Sequence, residues 1–257
     1  MDSFALVTGA SSGIGYCYAR ELASRGYGII AVSNDEPALM EKAEVIRRDF
    51  EVSVDAVVMD LSAADAPEKL YHHCRAQGYQ VDFLVNNAGV YHDRDFLDDS
   101  PEFNRLILML HVHAPAMLQY YFSGDMAQRG RGYVINMSSV TSGFGIQRMS
   151  TYSSTKAFLQ MFSRSTHIEL YGKGVHVTCV RPGAVATGLY DLKPFALRTG
   201  LAVGYIMRPE ILARKAVRAA LRGRAQITPG FFTCLLQFLV GLIPTALLRL
   251  IRKLRIF

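Results

Sequence analysis

Tyr152 and Lys156 stand four residues apart in Tyr152-Ser153-Ser154-Thr155-Lys156. On a helix this spacing puts both side chains on one face, one turn from each other. Such a pair can exchange a proton with a substrate oxygen. A free phenol titrates near pH ~10, so ready exchange near neutrality needs a drop of about three units, or roughly 4 kcal/mol. An ammonium at close range favours the phenolate and supplies part of that drop. Thirteen residues upstream, Ser139 closes Asn136-Met137-Ser138-Ser139, where a hydroxyl could hold a carbonyl oxygen beside the phenol. Alone, a Tyr-x-x-x-Lys spacing occurs by chance in many helices. It gains weight only inside a nucleotide-binding frame.

The chain supplies that frame. Phe4 to Thr8 is a short apolar run, followed by Gly9-Ala10-Ser11-Ser12-Gly13-Ile14-Gly15 and a helical pattern to about Arg25. Gly26-Tyr27-Gly28 closes the helix, and Ile29-Ile30-Ala31-Val32 is a second buried strand. Glycines between a strand and a helix let the backbone approach a pyrophosphate, which the helix N-terminus attracts. Helices are predicted over about 37–49 and 65–77, and strands over 53–60 and 81–85, the latter ending at Asn86-Asn87-Ala88-Gly89. Residues 101–128 read as helix, 133–136 as strand, the Tyr152 helix runs to about Tyr171, and 175–180 is a sixth strand ending at Arg181-Pro182-Gly183. Strands alternating with helices predict an α/β fold: a single-domain, Rossmann-type, doubly wound parallel sheet with helices on both faces. Ligands of such sheets bind beyond the carboxyl ends of the strands, where every loop named above falls.

In 257 residues there is room for one large domain, with 50% hydrophobic and 19% charged side chains. The four cysteines, Cys17, Cys74, Cys179 and Cys234, are too scattered for a disulfide framework or a metal site, which points to a reducing, cytoplasmic setting. No secretory signal pattern opens the chain. The net charge of +6 is uneven: residues 1–207 sum to −3, whereas 208–257 hold ten Lys/Arg against Glu210. Such a tail suits a polyanionic partner, but no aromatic-interleaved basic patch accompanies it, so no nucleic acid is expected.

In combination, Thr8-Gly9-x-x-x-Gly13-x-Gly15, Asp60, Asn86-Asn87-Ala88-Gly89, Ser139, Tyr152-x-x-x-Lys156 and Pro182-Gly183 with Thr187 resemble the short-chain dehydrogenase/reductase family over roughly residues 3–230. The resemblance implies nicotinamide-dependent interconversion of an alcohol and a carbonyl. By it, Tyr152 is the general acid/base, Ser139 orients the carbonyl, and Lys156 holds the nicotinamide ribose. The glycine turn, with Ser11, Ser12 and Ile14, would hold the pyrophosphate. Asp60 and Leu61 would flank the adenine, Asn86, Ala88 and Gly89 would line the dinucleotide, and Pro182, Gly183, Val185 and Thr187 would meet its nicotinamide end. The family usually carries an asparagine, supporting a proton-relaying water, where this chain has His111. Two readings stay open: an imidazole that relays protons, adding pH dependence near its ordinary range, or a helix residue packed near the site. His111 and His113 lie two apart on a helix and do not make a metal pair; no metal is expected.

At the end of the second strand an acid would select NAD. Ser33 and Asn34 stand there instead, and Asp35 comes too late. With Ser12 they favour NADP, with NAD left open. A substrate lid is expected over 189–207, where Leu189, Tyr190, Leu192, Phe195, Leu197, Leu201 and Tyr205 suit a hydrophobic substrate. Domain 1–230 is thus followed by a tail, 231–257. Its uncharged run 231–248 is interrupted by Gly241 and Pro244, and beyond it Leu247, Leu250, Ile251 and Leu254 oppose Arg249, Arg252 and Lys253. Peripheral membrane contact, contact with a partner subunit or the substrate entrance, and a spanning helix compete for this tail. The resemblance implies a homodimer or homotetramer built on the long helices. The expected activity is NADP-dependent reduction of a lipid-like carbonyl; a 3-ketosphinganine-type reductase, a steroid or small-carbonyl reductase, and a catalytically silent dinucleotide sensor remain as rivals.

Overall fold

The structure is a computed structural model, which describes residues 3–187, 198–201, 204–241 and 243–253. Seven parallel strands form one sheet: β1 Ser3–Thr8, β2 Gly28–Ser33, β3 Val54–Val58, β4 Gln80–Asn86, β5 Gly132–Met137, β6 Val175–Val180 and β7 Gln226–Ile227. Their spatial order is β3-β2-β1-β4-β5-β6-β7. The short β7 was not foreseen in the sequence. Strands β1 and β2 are apolar almost throughout because both faces of the sheet are covered. On one face lie α1 Gly13–Ala23, α2 Glu36–Phe50 and α7 Pro209–Leu221, whose Leu22, Leu39 and Val217 meet Val7, Ile29 and Phe83. On the other, Leu70 of α3 Ala66–Ala76 and Leu118 and Phe122 of α5 Ala114–Arg129 meet Leu6, Ile30 and Leu84. The catalytic candidate helix α6, Ser150–Glu169, packs over β5 and β6. Chain direction through the sheet reverses between β1 and β4, which opens a crevice at the carboxyl ends of these two strands.

The helix expected over 101–128 is interrupted. α4, Pro101–Leu108, is capped by the Ser100 hydroxyl, which accepts from Phe103 N–H at 3.1 Å. A π-helical turn, Met109–His113, then separates it from α5. The cause is legible in Pro115. Proline has no N–H to give to the His111 carbonyl four residues back, and its ring crowds that carbonyl. The backbone widens instead, and Ala114 N–H donates to Met109. Beyond the core domain, α8 Phe231–Gly241 and α9 Thr245–Lys253 are separate helices, so the tail breaks where Gly241 and Pro244 predicted. Among the described residues no helix is long and apolar enough to cross a membrane.

A buried polar cluster fixes α5 and α6 against the sheet. Asn136 on β5 donates to Gln119 at 2.7 Å and to Ser163 at 2.9 Å, and accepts from Asn86 at 2.8 Å. Gln119 donates in turn to Thr166 at 2.7 Å. Removing one member strands the others in a medium with no water. Asn136→Ala should therefore lower unfolding stability by about 1–3 kcal/mol. Urea denaturation reads this directly; an unchanged midpoint would mean the cluster does not hold the helices.

Candidate active site

Ser139, Tyr152 and Lys156 arrive from two elements. Ser139 follows β5 and caps the short helical turn Val140–Gly143. Its Oγ accepts from Thr141 N–H at 3.2 Å and from the Thr141 hydroxyl at 3.0 Å, so its own proton is left to donate into the cleft it lines. Tyr152 and Lys156 occupy consecutive turns of α6, and both are buried. Ser138 donates to the Lys156 carbonyl at 2.7 Å, pinning the helix to the strand end that carries Ser139. The Lys156 amine donates to the Met137 carbonyl at 2.9 Å and lies 5.5 Å from the centre of the Tyr152 ring. Tyr91 and His111 meet the Tyr152 ring edge-to-face, at 5.2 and 5.7 Å between centres. Burial pushes the Lys156 amine down from 10.5 to about 8.

These residues sit at one end of an open cleft of about 710 Å³. Gly9 and Gly13 line its other half with Ser11, Ser12 and Ile14. At Gly9 the backbone has φ +69°, and a Cβ there would stand 2.9 Å from the Asn87 amide. Ser12 is the N-cap of α1 but makes no side-chain capping bond, which leaves the first N–H groups of the helix to a ligand. Thr8 ties this turn to the next: its Oγ1 accepts from Asn87 N–H at 2.9 Å and Ala88 N–H at 3.0 Å. At the end of β2, the Ser33 hydroxyl donates to Ser11 at 2.9 Å. Asp35 is spent elsewhere, accepting from Ala38 N–H as the cap of α2. No carboxylate thus stands at the β2 terminus itself. The bare helix terminus and close-approach glycines fit a dinucleotide; Lys156 and Ser139 fit its reactive end.

Ser33, Asn34, Asp60, Leu61, Ala88, Gly89, Pro182, Gly183, Val185 and Thr187 also line this cleft, as does His111. Two expectations need correction. Asn86 does not face the cleft: its amide donates to Asn136 and to the Pro115 carbonyl at 3.3 Å, beneath the sheet edge. Successive residues of a strand point to opposite faces, so it is the next residue, Asn87, that lines the cleft. Gly15 likewise lies behind it, where a side chain would collide with the Gly9 carbonyl. His111, for which both readings above stand open, is buried. Burial and the neighbouring Lys156 hold its ring well below 6.5, and both its nitrogens are engaged, with Val90 N–H at 3.0 Å and the Thr155 hydroxyl at 3.1 Å. Val32, Met59, Val90, Leu106, Leu110, Met137 and Ser138 complete the lining and were not singled out as site residues in the sequence. An apolar side chain bordering a cleft has the same sequence signature as one in the core. Of the expected lid, Leu189, Tyr190, Leu192, Phe195 and Leu197 lie outside the described residues; Tyr205 is exposed.

A model of the short chain dehydrogenase family matches residues 3–193. The chain belongs to that family. It is 32% identical over 198 residues to the very-long-chain 3-oxoacyl-CoA reductase of Bos taurus, covering 75% of this chain and 62% of that protein. The corresponding protein of Rattus norvegicus is 30% identical over 197 residues with the same shares. The match thus spans less than two thirds of these relatives' length. Among solved structures, the short-chain dehydrogenase from Sphingobium yanoikuyae in complex with NADPH superposes with a TM-score of 0.79 at 27% identity, covering 96% of this chain and 98% of that one. The bulky-bulky ketone specific alcohol dehydrogenase from Comamonas testosteroni gives 0.78 at 27%, covering 96% of both. The fold is therefore the one expected from the sequence.

In this member of the family the charge on Lys156 varies with pH. Its folded value lies below the unfolded one, so burying the ammonium costs stability below about 8, a cost that fades as pH rises toward 10.5. The cation that would hold ribose and phosphate is lost over that same rise. Dinucleotide affinity of the wild type should weaken as pH passes about 8. Lys156→Met should bind more weakly and show no such bend. Fluorescence titration of bound cofactor measures both; a flat wild-type curve would remove the ammonium from cofactor binding.

Proposed function

We propose that the protein is an NADPH-dependent ketoreductase acting on a hydrophobic, lipid-like carbonyl, with a long-chain 3-oxoacyl thioester as the leading substrate class. The observation that carries the reaction is the convergence of Ser139, Tyr152 and Lys156 at one end of a dinucleotide-shaped cleft. For the cofactor, Ser33 and Ser11 offer hydroxyls where a carboxylate would repel a 2′-phosphate, and Asp35 is occupied in capping α2. The NADPH complex of the Sphingobium yanoikuyae enzyme is consistent with this choice. For the substrate, Val90, Leu106 and Leu110 give the cleft an apolar wall, and the relatives in cattle and rat are named as reductases of very long 3-oxoacyl chains. A 3-ketosphinganine and a steroid ketone are the competing substrates.

When bound, the nicotinamide supplies the hydride. The chain's own residues manage the oxygen. Ser139 donates a hydrogen bond to the carbonyl and holds it toward Tyr152. The Tyr152 phenol gives its proton as negative charge gathers on that oxygen. The Lys156 ammonium steadies the phenolate that remains.

We further infer that the tail works at an anionic membrane surface. Leu235, Phe238, Leu239 and Leu247 are exposed, and so are Arg249, Arg252 and Lys253. Thr233 of α8 is buried beside Gly183, and Arg252 bonds Asp95 at 3.2 Å, so the tail lies against the cleft end of the domain. An apolar surface rimmed by basic side chains suits lipid headgroups and would deliver a lipid substrate directly. Exposed Tyr120, Met161 and Ile168 on α5 and α6 support a second copy packed there.

Tyr152→Phe should lower turnover roughly 10²–10⁴-fold while leaving NADPH affinity within about twofold. NADPH oxidation followed with long-chain 3-oxoacyl-CoA, 3-ketosphinganine and a steroid ketone tests both the acid and the substrate; turnover undiminished in the variant would refute the assignment of Tyr152. Removing residues 231–257 should abolish sedimentation with phosphatidylserine vesicles and leave binding to neutral vesicles negligible. A shortened protein that still sediments, or one that merely loses its dimer, would defeat the membrane reading.

A further inference from the structure

We infer that His111 is a positioning residue, a strut that fixes the 87–90 loop to the catalytic helix α6 through two hydrogen bonds of opposite sense. Val90 N–H donates to His111 Nε2 at 3.0 Å, which requires a lone pair on that nitrogen. The proton must then sit on Nδ1, which donates to Thr155 Oγ1 at 3.1 Å. The Thr155 hydroxyl donates in turn to the Tyr152 carbonyl at 2.7 Å. The chain Val90, His111, Thr155, Tyr152 therefore runs in one direction, each member donating to the next. Bonds aligned in this way polarise and strengthen one another in a buried setting.

Three further features are built around the strut. Gly89 makes the close approach possible, since a Cβ there would stand 2.7 Å from His111 Nε2. The π-helical turn forced by Pro115 carries His111, which is buried at 1% exposure. The ring's edge-to-face contact with Tyr152, 5.7 Å between centres, restrains the phenol ring. The loop so held carries Gly89 and Val90 into the cleft, so the strut sets the distance between the dinucleotide wall and the phenol. A proton relay needs a nitrogen that can change its state. Here charging Nε2 would break the Val90 bond inside a buried site. The titratable groups facing the ring are Tyr152 and Lys156 of α6, and a lysine ammonium opposes a second cation beside it. The inference rests on the reductase reading only where turnover is measured.

Long-range proton–nitrogen NMR of the wild-type protein reads the ring directly. The expected result is the neutral Nδ1–H form, unchanged from pH 8 down to about 5.5, well below the ordinary histidine midpoint of about 6.5. An Nε2–H form, or a midpoint in the ordinary range, overturns the inference whatever the variants do. His111→Asn and His111→Gln separate the two bonds. Asparagine reaches the level of Nδ1 and can meet Thr155 but falls short of Val90; glutamine reaches Val90. For the loss of one buried hydrogen bond, His111→Asn should raise the NADPH dissociation constant about tenfold, and His111→Gln should recover most of that loss. The pH profile of kcat/KM should keep its shape in all three proteins. Unchanged NADPH affinity in both variants, or a wild-type inflection that vanishes with the histidine, would sink the strut. NADPH binding and the NMR signal need no ketone turnover, so an error in the proposed activity would not be mistaken for an error here.

Discussion

A buried ammonium without a carboxylate governs this molecule. Among the described residues no acid pairs with Lys156; its amine is held by the Met137 carbonyl and lies near the Tyr152 ring. Burying a lone cation is expensive, and the protein responds by lowering its proton affinity toward neutrality. That same tension makes the amine useful. A cation poorly solvated by its own protein interacts strongly with any anion or phenolate brought alongside. Ser138, which bonds the Lys156 carbonyl, keeps the helix close enough to β5 for the amine to be caught in this position.

The fold exists to bring chain segments far apart in sequence to this amine. Lys156 comes from α6, Ser139 from the end of β5, Gly9 and Gly13 from the turn after β1, and Asn87 to Val90 from the end of β4. Parallel pairing puts all these ends on one edge, and the reversal between β1 and β4 separates the flanking loops into a cleft. Hydrogen bonds tie several of them together. Thr8 joins the first turn to Asn87 and Ala88, and Asn136 joins β5 to both flanking helices. Directional bonds fix angles as well as distances, which a site that must align several separate groups demands.

Much of this was legible in the sequence, and the failures have local causes. Apolar runs alternating with helical patterns gave the sheet, and the glycine spacing gave the phosphate turn. Asn86 and Asn87 differ only by strand parity, and which one faces the ligand depends on the residue at which β4 stops. Position alone could not decide it, since both are asparagines. The two-residue β7 is held by its pairing with β6 at Cys179 and Val180 and has no pattern of its own long enough to read. Tyr91 was likewise invisible, for its role is set by the ring of Tyr152 across a fold of the chain.

His111 belongs to a different kind of case. The motif 110–115 carries a local conflict, a proline placed where a continuous helix would want a donor. Such conflicts cost stability and persist where they serve a site. Here the conflict widens one turn, and that turn delivers a ring with donor and acceptor at two depths of the same side chain. A shorter amide offers its donor and acceptor at a single depth. It could hold the helix or the loop, but it could not span from one to the other. The substitution of imidazole thus changes what the position can do mechanically, independently of whether it can move a proton. The glycine at 89 completes the exchange: room conceded by the loop is filled by the ring, and the wall of the cleft is set by their contact.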